Sequence, residues 1–125
     1  MDLSKIQKLK EILEEIKLKG VLNGVLLSDR EGTLILDNLS IDFDKSLCSS
    51  MCATVFESAT EVGRKSGEQK LVKIITEIGD QSVIILGCDE KRFLTLFANF
   101  ESKLNVLFDE IQDEIKKIVL LYEYD

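Results

Sequence analysis

Histidine is missing from this 125-residue chain, and with it go the usual imidazole base and the usual imidazole metal ligand. Proline is absent as well. Cysteine occurs only three times, an odd number that cannot pair completely within one chain, and no basic segment, apolar stretch and cleavage site opens the sequence. A reduced, cytoplasmic protein is expected. Long apolar runs are lacking too: Val83 to Leu86 is typical, against the roughly 20 residues that cross a bilayer, so no membrane insertion is expected. Positive charge is in deficit, with 16 Lys and Arg against 23 Asp and Glu for a net charge of −7, and the basic residues are not gathered. Such a surface repels phosphate backbones, and the two tyrosines and six phenylalanines form no ladder for bases to stack on, which excludes nucleic acid as a partner.

What is present suits one folded unit. The chain is 45% hydrophobic and 31% charged, enough apolar material to offset chain entropy, and its length matches a common domain size, so residues 1–125 are expected to form a single domain.

Ser4, three residues before Gln7, has capping-box spacing, and Leu3, Ile6, Leu9, Leu13 and Ile16 recur at helical intervals until Gly20, read as the stop. Val21 to Ser28 is nearly continuous apolar sequence, the mark of a strand covered on both faces. Asp29-Arg30-Glu31-Gly32 then reads as a tight turn into a second strand at Thr33 to Asp37. Asp42 or Asp44 caps a second helix running to about Arg64, with Leu47, Met51, Val55, Ala59 and Val62 in one stripe, widened by Cys48, Cys52 and Phe56. Its many small residues predict two packing surfaces, one for the sheet and one for something else. Three strands follow, about Lys70 to Ile78, Ser82 to Cys88 and Phe93 to Ala98, joined by hairpin-length links. The first of them mixes charge into its pattern as an edge strand does. Asn99 is read as the cap of a last helix, in which Leu104, Leu107, Phe108, Ile111, Ile115, Ile118, Val119 and Tyr122 hold the helical rhythm. The order α-β-β-α-β-β-β-α predicts an α+β layered domain, an antiparallel sheet with helices on both faces.

Candidate chemistry is sparse. Gly63-Arg64-Lys65-Ser66-Gly67 looks like a phosphate loop, but it lacks the Gly-Lys-Ser/Thr core and stands where a helix ends, so it reads as a helix C-terminus with dipole-compensating cations. Cys48, Cys52 and Cys88 offer fewer ligands than a zinc site needs and have no histidine to activate a thiolate; they read as small apolar residues. The acidic pairs Glu14-Glu15, Asp109-Glu110 and Asp113-Glu114 lie opposite the apolar stripes and read as solvated faces. The tail Tyr122-Glu123-Tyr124-Asp125 reads as a frayed terminus rather than a docking peptide. No cofactor, metal or catalytic residue is expected, and the chain is not read as an enzyme.

The stretch Val21-Leu22-Asn23-Gly24-Val25-Leu26-Leu27-Ser28-Asp29-Arg30-Glu31-Gly32 after a first helix, with the element order that follows, resembles the roadblock/LC7 family, whose members carry a Gly-Val-x-Gly-Ala-like strand leading into an Asp-x-x-Gly turn. The resemblance spans Leu3 to about Leu121. It departs from the family in having no proline before Val21, and in a middle helix rich in Cys and Ser rather than Ala. It implies a five-stranded antiparallel profilin-like sheet with the first and last helices on one face and the middle helix on the other. It also implies homodimers that pair their third strands edge to edge and pack their middle helices together, here through Met51, Val55, Ser58, Val62, Leu71, Val72, Lys73, Ile74 and Ile75. The implied partner is a small Ras-like GTPase, regulated or scaffolded, with Ser49, Cys52, Phe56, Arg64 and Lys65 as the partner-facing residues. The alternative is a structural subunit that pairs with a paralogous roadblock or longin-like chain in a larger, dynein-like or signalling complex. Arg30 and Arg64 are the arginines that an arginine finger would need, but the family is not understood to supply one, so neither is given a catalytic role.

Overall fold

A helix begins where a side chain first satisfies its orphan amides, and here that side chain is Asp2, whose carboxylate accepts from the Lys5 amide at 2.8 Å. The computed structural model describes residues 2–40 and 42–123. The first helix, α1 (Leu3–Gly20), therefore starts ahead of the expected cap, Ser4. Its stop also differs from expectation. Gly20 is the last helical residue, while Val21 takes the left-handed conformation (φ 51°, ψ 53°). Gly20 is needed for space, because a Cβ there would stand 2.8 Å from the Leu107 side chain and 2.9 Å from that of Leu22.

Strand β1 (Gly24–Asp29) starts three residues later than the apolar run predicts, since Val21 to Asn23 turn the chain out of α1. Strand β2 (Leu34–Asp37) follows the predicted turn. The Asp29 carboxylate accepts from the Glu31 and Thr33 amides, both at 3.0 Å, and Gly32 has φ 96°. Asp44, one of the two candidate caps, accepts from the Leu47 amide at the start of α2 (Lys45–Lys65). Strands β3 (Lys73–Ile78), β4 (Gln81–Gly87) and β5 (Arg92–Ala98) lead into α3 (Leu104–Glu123). Asn99 does not cap that helix. Its side chain accepts from the Glu101 amide at 2.8 Å and donates to the Asn23 side-chain carbonyl at 2.7 Å, building a separate turn, so that α3 starts only at Leu104.

The five strands form one antiparallel sheet in the order β2-β1-β5-β4-β3, so β3 is an edge, as its mixed pattern predicts. The other edge is β2, only four residues long. Lys17 of α1 donates to the Asn38 carbonyl just beyond it, and Lys45 bridges Asp37 and the Leu39 carbonyl. Helices α1 and α3 cover one face, where Leu9, Leu13, Ile16, Leu107, Ile111 and Ile118 pack on Val25, Leu27, Ile84, Leu94 and Leu96. Helix α2 covers the other with a smaller set, Cys52, Ala53 and Phe56 over Ile85 and Phe93.

Glu114, expected on a solvated face, is fully buried at the α1–α3 seam. Its Oε1 accepts from Lys19 at 2.9 Å and Lys117 at 3.3 Å, and those two amines also reach Glu110 and Glu15. A buried carboxylate is tolerable because it is paired with two cations. Tyr122 belongs to α3, whereas Tyr124 and Asp125 of the expected tail lie outside the described residues. No helix among the described residues is long and apolar enough to cross a membrane.

Candidate interaction surface

Helix α2 carries two apolar stripes, and the sheet takes only one. Ser49, Cys52, Ala53 and Phe56 face inward. The Phe56 ring stacks on Phe93 with centroids 5.5 Å apart, and the Ser49 hydroxyl donates to that of Ser28 in a short buried bond. Turned outward, Leu47, Met51, Val55 and Val62 are 56%, 60%, 46% and 65% exposed. Four large apolar side chains along about four turns form an uncovered stripe, unlike singly scattered surface hydrophobes.

Beside α2 lies the free edge of the sheet. β3 pairs with β4 on one side only, from Lys73↔Leu86 to Ile78↔Gln81. Val72, Ile75 and Ile78 are exposed, so this margin joins unpaired backbone groups to uncovered apolar side chains. Leu71 and Ile74 are half-buried and pack under α2 with Phe56 and Ile85. Lys73 is exposed, and its amine sits 3.9 Å from the centroid of the Phe108 ring in α3.

Among the expected interface residues, the structure leaves Met51, Val55, Ser58, Val62, Val72, Lys73 and Ile75 exposed, with Lys73 turned toward α3, while Leu71 and Ile74 already serve the protomer's own core. The expected partner-facing set divides. Arg64 and Lys65 are exposed at the end of α2, with Arg64 paired to Glu61. Ser49, Cys52 and Phe56 are corrected: they are buried against the sheet and offer nothing to a partner. The reason is helical phase, since the inward stripe is offset from the outward one by a single residue and both read as apolar or small. Leu47 and Ile78, left out of the expected interface, are exposed as well, and the i, i+4 spacing of Leu47 to Met51 was the signal for the first.

The Gly63-to-Gly67 segment is a helix exit, as expected. The Ser66 amide donates to the Val62 carbonyl at 3.0 Å, and Gly67 and Glu68 both take positive φ. The cysteines are divided by the sheet, Cys48 and Cys52 on the α2 side and Cys88 on the α1–α3 side. Burial, with Cys52 alongside, pushes the Cys48 thiol up to about 12, and burial beside Asp89 pushes Cys88 up to about 12, so both stay protonated at neutral pH.

No family model matches the sequence. An uncharacterized protein of Methanocaldococcus jannaschii is 27% identical over 107 residues, which is 86% of this chain and 97% of that protein. Among solved structures, the gliding protein MglB of Thermus thermophilus is similar at a TM-score of 0.90 and 13% identity, covering 100% of this chain and 96% of that one. MglB of Myxococcus xanthus is similar at 0.87 and 15% identity, over 94% and 97% of the two chains. A roadblock/LC7 domain from Streptomyces avermitilis is similar at 0.81 and 12% identity, over 90% and 96%.

Proposed function

We propose that this chain, which has the roadblock/LC7 fold, works as a non-catalytic homodimeric module that binds a small Ras-like GTPase and regulates or scaffolds it. The observation that carries the reading is the uncovered α2 stripe beside the unpaired β3 margin. Each feature alone is a liability in water; together they form a self-complementary patch of the kind a two-fold dimer uses. Two copies pair β3 with β3 and α2 with α2, joining their sheets into one.

The GTPase comes from the likeness to roadblock proteins and from what the dimer leaves free. Arg64, Lys65 and the loops beside the paired helices remain available at the rim. No catalytic arginine is assigned: Arg30 lies over the Phe56 ring and donates to the Asp89 carbonyl, and Arg64 pairs with Glu61.

Sedimentation velocity at micromolar concentration, followed by capture of a Ras-like GTPase loaded with GDP or with a non-hydrolysable GTP analogue, tests both halves. A species of twice 14.1 kDa and nucleotide-dependent capture are expected. A monomer removes the basis of the proposal, and a dimer that captures the GTPase in neither state removes the partner. Preference for a paralogous roadblock or longin-like chain over itself would replace it with the structural-subunit reading.

A further inference from the structure

The chain has three arginines, and two have carboxylate partners: Arg64 with Glu61, and Arg92 with Asp89 at 2.8 Å. Arg30 has none among the described residues. It is half-buried, its guanidinium lies 4.6 Å from the centroid of the Phe56 ring, and one Nη2 hydrogen bond goes to the Asp89 carbonyl at 2.9 Å. Its Nε is buried without an acceptor. A guanidinium does not shed its proton inside a protein, so withdrawal from water has to be offset by an anion or by dipoles, and here one carbonyl and one ring face do that alone.

Arg30 also lines a cleft of about 830 Å³ between the C-terminal half of α2, residues 68–72 and the β4–β5 connection. That volume lies within the range of small-molecule sites. Gly87 keeps the space open beside the guanidinium, since a Cβ there would stand 3.1 Å from Phe56 and 3.8 Å from Arg30 Nη2. The remaining lining charges are Arg64 and Lys70 against Glu68, Asp89 and Glu90, and Asp89 is already held by Arg92. The backbone under Arg30 is fixed as well, its amide donating to the Lys91 carbonyl at 2.9 Å. A cation whose plane is set by an aromatic ring and whose backbone is anchored is prepared for an oxyanion before one arrives.

The geometry points to this cleft as a binding site for a small oxyanion, a carboxylate or phosphate group received by Arg30 with Lys70 and Arg64 nearby. The site rests on Arg30 and does not depend on the GTPase reading, although it shares Arg64 with the residues offered to that partner. It shares Leu71 and Val72 with the dimer surface, so the test is run on protein whose sedimenting mass is measured in the same buffer.

The experiment titrates 15N-labelled protein with sodium phosphate, with sodium glutarate and with sodium chloride at matched ionic strength, following the Arg30 Nε–H and Gly87 amide signals. Saturable shifts with phosphate or glutarate, at about millimolar Kd and absent with chloride, are expected, and the anion that saturates names the ligand class. Arg30→Gln weakens that binding at least about ten-fold, and Arg30→Lys, which keeps the charge without the planar fork, falls between. If the Arg30 variants do not fold, the doubly substituted Arg64→Gln, Lys70→Gln protein is expected to bind several-fold more weakly. Shifts that track ionic strength equally in all three salts overturn the proposal, as does saturable binding that Arg30→Gln, or the double variant in its place, leaves unchanged.

Discussion

Replacing Met51 with aspartate separates the dimer surface from the protomer's own core. Met51 is 60% exposed in the single chain, and complete burial of a methionine contributes about 1.5–3 kcal/mol, so covering the remaining surface contributes about 1–2 kcal/mol. A two-fold interface contains the residue twice, which makes the loss about 2–4 kcal/mol per dimer. At 1.4 kcal/mol per factor of ten, lost burial alone raises the dimer Kd by roughly 30- to 1,000-fold. Each carboxylate adds a desolvation cost when trapped between two apolar helices, which moves the effect to the top of that range or past it. The folded monomer has no such loss, since surface substitutions usually stay within about 0.5 kcal/mol. Sedimentation velocity at micromolar concentration should therefore show a 14.1 kDa species for Met51→Asp with unchanged helix content by circular dichroism. If the variant still sediments at twice that mass, α2 does not form the contact. If it loses its helix signal, the stripe belongs to the core and the reasoning fails.

Three further outcomes rest on separate features. Ser49→Ala leaves the buried Ser28 hydroxyl unpartnered and should cost about 1–3 kcal/mol in urea unfolding, whereas adding Ser28→Ala should cost much less than a second such step; strict additivity would mean the two hydroxyls do not interact. Gly32→Ala meets both a φ of 96° and the Ser50 Cα 2.9 Å from the new Cβ, so it should destabilise by more than Gly67→Ala, where φ is 101° and nothing lies within 4 Å; equal Tm shifts would mean that α2 does not press on the turn. The α1–α3 seam makes stability pH-dependent at both ends. Hydrogen bonding to Lys117 holds the Glu15 carboxyl below its ordinary 4.5, so its contribution is present above that pH and lost as pH falls through the lower folded value. Hydrogen bonds to Glu114 and to Glu15 hold Lys19 and Lys117 respectively above 10.5, so their contributions are complete below that pH and lost as it rises further. Lys117→Met should return Glu15 toward 4.5 in a carboxylate NMR titration; an unmoved Glu15 would refute the pairing.

Element order and the edge position of β3 were legible because each strand's pattern answers to its own surroundings: Lys73 and Glu77 interrupt an apolar run only where one flank is open. Helix ends were less legible. Asp2 and Ser4 are both good caps, and only the fold shows which one meets an amide; Asn99 is a good cap that the nearby Asn23 and Ser102 draw into a turn instead. Glu114 reads as surface by its spacing, and its burial depends on Lys19 of another helix, 95 positions away in sequence. The partner-facing set failed for a related reason. Ser49 and Cys52 look like surface residues of a small-residue helix until Ser28 and Ile85 are seen beneath them, and no periodicity separates two adjacent apolar stripes whose residues are of similar size.

The two margins of the sheet differ in a way that limits growth. β2 is short, its neighbouring loop is stitched to α1 by Lys17, and Lys45 ties its end down, while β3 is longer and bare on its outer side. Joining two copies through their β3 margins would leave only the short β2 margins, tied down at their ends, on the outside of the joined sheet. On the proposed pairing, association through this margin would be self-limiting, leaving the uncovered hydrocarbon of α2 and β3 no route to a filament.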